Sequence, residues 1–305
     1  MTVTEVQTVV RRRRSWGRAP QDVRVVGRRR RSVQARFLRH VVIAGVGLFM
    51  LYPLLWMLSS SFKPDDRIFR EQGLWPAEWD LANYVEGWTA LEHPFDVYLV
   101  NSLIIVGLSI VGTLFSTALA AFAFARLTFP GRRFMFALTL GTLMLPGHVL
   151  LIPQYIMFSQ LGWVNTYLPL VVPHFLASNA FYIFLMVQFM RALPRELDDA
   201  ARIDGCGTFG IFWRIILPLC TPAFATTAIF TFIATWNDFF SPLIYITDSE
   251  LYPVPLALRQ FMDSEGQSSW GPMFAMSVVS LLPIVGFFIA GQKYLVQGIA
   301  TTGLK

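Results

Sequence analysis

Six apolar runs, each of about the length that crosses a bilayer, decide what this chain can fold into. They cover roughly 41–58, 98–125, 134–158, 167–190, 220–246 and 273–295. A hydrocarbon core about 30 Å thick takes about 20 residues of helix. Inside it every backbone N–H and C=O must be satisfied within the protein, so helices are the expected form. The fold class expected is all-α, a polytopic membrane protein with six transmembrane helices. Composition agrees, because 54% of the residues are hydrophobic and 14% charged, against about 25% charged in ordinary chains. Pro146 and Pro153 in the third run, and Pro169 and Pro173 in the fourth, predict kinks or breaks. Such breaks are tolerated where a neighbouring helix or a cavity satisfies the freed groups.

Charge orients the runs. Residues 1–40 hold twelve of the 25 Lys and Arg, including 11–14 and 28–31, and no apolar run. The segment reads as a disordered Arg-rich cytoplasmic tail resting on anionic headgroups. Residues 41–305 read as the six-helix domain. A nucleic-acid role is disfavoured despite the net charge of +6, since the positive charge is concentrated in this tail. The run at 41–58 is long enough to span, which argues against a cleaved signal peptide. Arg126, Arg132 and Arg133 mark one loop, and Arg191, Arg195, Arg202 and Arg214 mark 191–219. The loop 159–166 has no basic residue, and 247–272 has only Arg259 against Asp248, Glu250, Asp263 and Glu265. Residues 62–96 carry eight acidic and three basic residues. By the positive-inside rule both termini and the 191–219 loop are cytoplasmic, an N-in/C-in arrangement.

One polar island interrupts the apolar chain, Leu193-Pro-Arg-Glu-Leu-Asp-Asp-Ala-Ala-Arg-Ile-Asp-Gly205, continuing to Ile215-Ile-Leu-Pro218. Pro194 suits a helix first turn, and Glu196, Asp198 and Asp199 favour the positive end of its dipole. Ala200 and Ala201 let another surface approach closely, Asp204 closes the helix, and Gly205 can take the left-handed conformation that ends it. A short capped helix with a small-residue face is a docking element.

The spacing Asp199-Ala200-Ala201, three residues, Gly205, nine residues, Ile215-x-Leu217-Pro218 resembles the cytoplasmic EAA loop of ABC importer permeases. Asp199 stands where that family usually has Glu. Phe129-Pro-Gly-Arg132, Leu151-Ile-Pro-Gln-Tyr155, Leu161-Gly-Trp-Val-Asn-Thr-Tyr167, Phe232-Ile-Ala-Thr-Trp-Asn-Asp-Phe239 and Gln297-Gly-Ile-Ala300 are similar to the carbohydrate branch. The match is to the shorter permease subunit of maltose- and oligosaccharide-type importers. The resemblance implies a type I importer fold in a bacterial inner membrane and a heterodimer with a second permease subunit. It also implies an ATPase subunit dimer carrying ATP and Mg, an extracytoplasmic solute-binding protein and a sugar substrate. It makes the Glu196–Asp204 helix the ATPase-coupling element. It also implies that the outer loop, with Tyr252, Pro253 and Trp270, contacts the binding protein, and that the segment 297–303 can extend towards the ATPase.

Within the chain itself no chemistry is expected. There is no G-x-x-x-x-G-K-[ST] phosphate loop, so ATP is neither bound nor split here and no cofactor is called for. His40, His93, His148 and His174 share no ligand spacing, so no metal site is expected. Cys206 and Cys220 read as free thiols. Asp238 is the exception, an ionisable group inside an apolar run that must face protein or water. With Trp236 and Asn237 it is a candidate for the translocation path or its gate, since aromatic faces stack on sugar rings and amide and carboxylate groups bond hydroxyls. The other reading of Asp238 is a packing contact to a neighbouring helix. An alternative function is an ion-coupled secondary transporter centred on Asp238, but such carriers usually show internal repeats and none is evident.

Overall fold

A computed structural model of the chain describes residues 33–71, 73–262 and 269–302. The chain divides into two units, residues 1–51 and 52–305. The first contributes, among the described residues, the N-terminal part of α1 (Val33–Ser60). Residues 1–32 of the Arg-rich segment lie outside the described residues. Helix α1 starts ahead of its apolar run because residues 33–40 contain no Gly or Pro and several strong helix formers.

The second unit continues with α2 (Ala82–Thr89), α3 (Phe95–Arg126), α4 (Arg132–Gly141), α5 (Leu151–Gln160), α6 (Leu168–Phe175) and α7 (Ala180–Ala192). Then follow α8 (Glu196–Ile203), α9 (Thr208–Ile211), α10 (Leu217–Leu219), α11 (Thr221–Trp236), α12 (Phe240–Tyr245), α13 (Val254–Gln260) and α14 (Trp270–Thr302). No strand occurs among the described residues.

Among the described residues four segments are long and apolar enough to cross a membrane, Phe37–Ser60, Phe95–Arg126, Leu168–Ala192 and Trp270–Lys293, and a bent pair of helices would make a fifth. The third and fifth apolar runs are not single helices. Helix α4 stops at Gly141, and two 3-10 turns carry the chain past Pro146 before α5 starts. Pro146 has no N–H to donate to a helix, whereas Pro153 falls in the first turn of α5, where none is required. In the fifth run, Thr208–Leu219 and Thr221–Trp236 meet at 73°. A π-helical turn at Phe212–Ile216 and the prolines Pro218 and Pro222 remove the regular hydrogen bonds that would keep the pair straight. The run breaks again after Trp236, and Asp238 restarts it, its Oδ1 accepting from Ser241 N at 3.2 Å.

Helix α3 is the centre of the second unit, packed against α6, α7 and α11, while α11 also packs on α14. A Cβ at Gly112 would lie 2.5 Å from the Phe175 ring, so only glycine allows that approach of α3 to α6. One core cluster joins Ala121, Phe122 and Ala125 of α3 to Met186 and Met190 of α7 and to Ile216 and Cys220. A second joins Phe95 and Tyr98 to Phe232, Trp236 and Met276. Phe134, Leu138, Ile152, Leu282 and Ile289 point outward and are exposed, as expected where the surrounding solvent is hydrocarbon. Beside α2, Lys63 is fully buried, and its Nζ donates to Glu71 O at 2.9 Å and Gly73 O at 2.7 Å. Asn83 ties the same turn by donating to Ser61 O and Lys63 O.

Candidate functional site

Helix α8 is built as its sequence predicts at its end and differently at its start. It begins at Glu196, so Pro194 lies just before the helix. Three carboxylates, Glu196, Asp198 and Asp199, occupy the first turn, where the helix dipole favours negative charge. At the far end Gly205 has φ 81°. Its N–H donates to Arg202 O at 3.0 Å and Cys206 N–H donates to Ala201 O at 2.8 Å. That pair of bonds is a Schellman motif, and Ala201 and Cys206 supply the apolar contact that accompanies it.

The candidate docking residues divide into two sets. Glu196, Asp199, Ala200, Asp204 and Gly205 are exposed, as is Ile203 at 87%. Asp198 and Ala201 are buried, so they belong to the support of α8 and present no free surface. The helix repeat explains the division, since positions three apart share a face. Asp198 faces Arg126, the last residue of α3, whose Nη1 donates to Asp198 Oδ2 at 3.3 Å. The same guanidinium donates to Leu193 O at 3.1 Å and Pro194 O at 3.5 Å. Arg195 and Arg191 donate to the terminal carbonyls of α3, Ala125 O at 3.4 Å and Phe124 O at 3.5 Å. These arginines satisfy carbonyls that a helix end leaves unpaired and set positive charge at its negative pole. Arg126 Nε and Asp198 Oδ1 are buried without a partner.

The second site is a cavity of about 140 Å³ between α3, α6 and the α11–α12 break, lined among others by Ser102, His174, Thr235, Asp238 and Pro253. Of the three residues expected at a gate, only Asp238 lines it. Trp236 is buried and stacked on Phe232, centroids 5.5 Å apart, so its ring is spent on packing. Asn237 is exposed and its Nδ2 donates back to Ile233 O at 2.8 Å. His174 Nδ1 lies 2.9 Å from Thr113 Oγ1, and Ser116 Oγ donates to His174 O at 2.7 Å.

The segment after α12 is pinned to α3 and is no slack connector. Asn101 Nδ2 donates to Glu250 O at 2.7 Å and Tyr252 O at 3.0 Å, and Ser102 Oγ accepts from Val254 N at 2.8 Å. Asn165, at φ 64°, accepts from Thr247 N and Asp248 N through its side chain. Tyr252 is half-buried and Pro253 buried, which makes both of them supports for the segment. Trp270 packs edge-on to Phe69 at 5.2 Å. Asp263, Glu265 and Gly266 lie outside the described residues, as do 303–305 of the C-terminal segment; helix α14 itself continues to Thr302. Cys206 and Cys220 are unbonded.

Sequence reasoning missed Arg126, Asn101 and Ser102 as site residues. Arg126 was legible only as a loop charge. Asn101 and Ser102 carry a weak signal, an adjacent polar pair near the start of an otherwise apolar helix.

Residues 112–301 match the family of binding-protein-dependent transport system inner membrane components. A probable ABC transporter permease of Bacillus subtilis, YurM, is 39% identical over 254 residues, 83% of each chain. The trehalose/maltose transport system permease MalG of Thermococcus litoralis is 34% identical over 276 residues, covering 90% of this chain and 99% of MalG. A solved bacterial ABC transporter involved in the import of the acidic polysaccharide alginate shares the fold. The TM-score is 0.73 at 23% identity, over 87% of this chain and 98% of the other.

Proposed function

The chain belongs to the family of binding-protein-dependent transport system inner membrane components, and on that premise we propose that it is a permease subunit of an ATP-driven sugar importer. It forms half of the translocation path and catalyses no reaction itself. A second permease subunit completes the path, two ATPase subunits bind ATP and Mg on the cytoplasmic side, and a solute-binding protein delivers sugar from outside. The N-terminal residues 1–40 rest on anionic lipid, and 41–305 form the membrane domain with the coupling loop at 191–219.

The observation that carries the reading is the construction of α8. It presents Glu196, Asp199, Ala200 and Ile203 outward while Asp198 and Ala201 fasten it from behind. An exposed helix face backed by a buried ion pair moves with the protein it is fastened to. Closure of the ATPase dimer would then be passed to the spans as rigid-body motion, the usual form of such transitions. Asp238 faces the sugar path from its cavity, where a carboxylate bonds hydroxyl groups. The outer segment around Tyr252 and Trp270 receives the binding protein.

Purification of the tagged chain from mild detergent, with mass spectrometry of stoichiometric partners, tests the reading. Recovery of a related permease, an ATPase and a binding protein is expected. A chain that purifies alone and transports in sealed vesicles without ATP overturns it in favour of the ion-coupled alternative.

A further inference from the structure

Helix α3 is held at both ends by side chains that reach backbone of other segments. At one end Arg126 grips Leu193 O and Pro194 O in the turn that leads into α8, and Asp198 inside it. At the other end Asn101 grips Glu250 O and Tyr252 O, and Ser102 caps Val254 N–H. Between Ser102 and Arg126 lie about 36 Å of helix without a proline. The cavity residues Ser102 and Ile105 lie on this rod near its Asn101 end. Helix α3 runs unbroken over this length, without the proline or π-helical turn that bends the run from α9 to α11, so displacement of one end is passed towards the other.

The grip at Arg126 has features of a positioning device. Its side chain and that of Asp198 are 3% and 10% exposed, so the pair is shielded from salt and from competing water. A guanidinium offers several donors in a fixed plane, which lets one residue hold two carbonyls and a carboxylate together. Lysine, with one compact charge centre, does not reproduce that fork. By contrast the exposed Arg202–Asp199 pair, at 3.6 Å, is of the kind that contributes little.

We infer that Arg126, through Asp198 and the Leu193 and Pro194 carbonyls, is the positioning residue that makes α3 the link between α8 and the Glu250–Val254 segment. The inference rests on the permease reading above and deepens it, by assigning the coupling path to one helix and its inner clamp to one buried ion pair. Arg126 touches no substrate. It determines whether motion of α8 reaches the cavity at Asp238 and the outer segment.

The test uses the complete transporter in proteoliposomes, with sugar uptake and ATP hydrolysis measured on the same preparation. The parent complex is measured first, and one that shows no ATP-dependent uptake overturns the permease reading and this inference with it. Arg126→Lys and Asp198→Asn are then compared, with assembly followed by size-exclusion chromatography. The expected result is normal assembly, persisting ATP hydrolysis, and sugar transported per ATP lower by roughly tenfold, a typical size for coupling between sites. The double variant should lose no more than the worse single one, because both act through one contact. Ser102→Ala, at the opposite end of α3, should also lower sugar per ATP. Uptake and hydrolysis falling together, sugar per ATP unchanged in Arg126→Lys, or loss of assembly in both single variants would overturn the inference and leave the pair a stabilising contact only.

Discussion

At φ 81° with no atom within 4 Å of an added Cβ, Gly205 is constrained by its backbone conformation alone. Gly205→Ala should therefore cost about 1 kcal/mol through left-handed strain, read as a lower melting temperature of the purified chain, with the fold unchanged. The neighbouring alanines separate docking from packing. Ala200 is exposed and Ala201 is buried in a core cluster. Ala200→Trp is expected to leave stability and expression near the parent level while uncoupling ATP hydrolysis from uptake. Ala201→Trp overpacks the core, which typically costs about 1–3 kcal/mol, and should lower the melting temperature before any assay of coupling. Equal stability of the two variants would contradict this division of α8.

Caps and breaks decide the behaviour of the elements. The N–H of Val254, the first residue of α13, is satisfied by Ser102 Oγ from a helix 152 residues away in sequence. Ser102→Ala removes that cap at a cost of about 1 kcal/mol. Hydrogen exchange of the amides in Val254–Gln260 should then quicken relative to the centre of α3, and unchanged exchange there would count against the cap. Of the two prolines expected to break the third run, Pro146 does so between α4 and α5, whereas Pro153 lies in the first turn of α5 and leaves it intact. What periodicity did not reveal is the second break, after Trp236. Its cause is local polar competition, since Asp238 bonds the N–H of Ser241 and starts α12, a habit of Asp beside helix starts. The same local bond turns Asp238 from a buried isolated charge into a partly satisfied one beside a cavity.

At the scale of the molecule the expected orientation can be tested directly. With Cys206 and Cys220 replaced, a membrane-impermeant maleimide should label Glu250→Cys in intact cells and Ala200→Cys only in inverted vesicles. The reverse pattern would overturn the N-in/C-in arrangement. The broad apolar surfaces of α4, α5 and α14 are suited to contact with hydrocarbon.

What the sequence determined by itself follows from local rules. Long runs of apolar residues dictate membrane helices, because a helix is the form in which a single segment satisfies its own backbone in hydrocarbon. The Asp199–Pro218 spacing identified the family, and Gly205 marked the end of α8, because a left-handed cap needs glycine. Only the tertiary structure decided which residues of that helix are free. Asp198 looked equivalent to Asp199 in sequence, yet one pairs with Arg126 in the interior and the other is exposed. Trp236 looked like a gate residue and packs against Phe232 in the core. In each case the deciding partner lies on an element distant in sequence or on the next turn of a helix, and no local pattern specifies how a helix is rotated against its neighbours. Packing of whole helices around α3 sets that rotation, and with it the difference between a surface and a support.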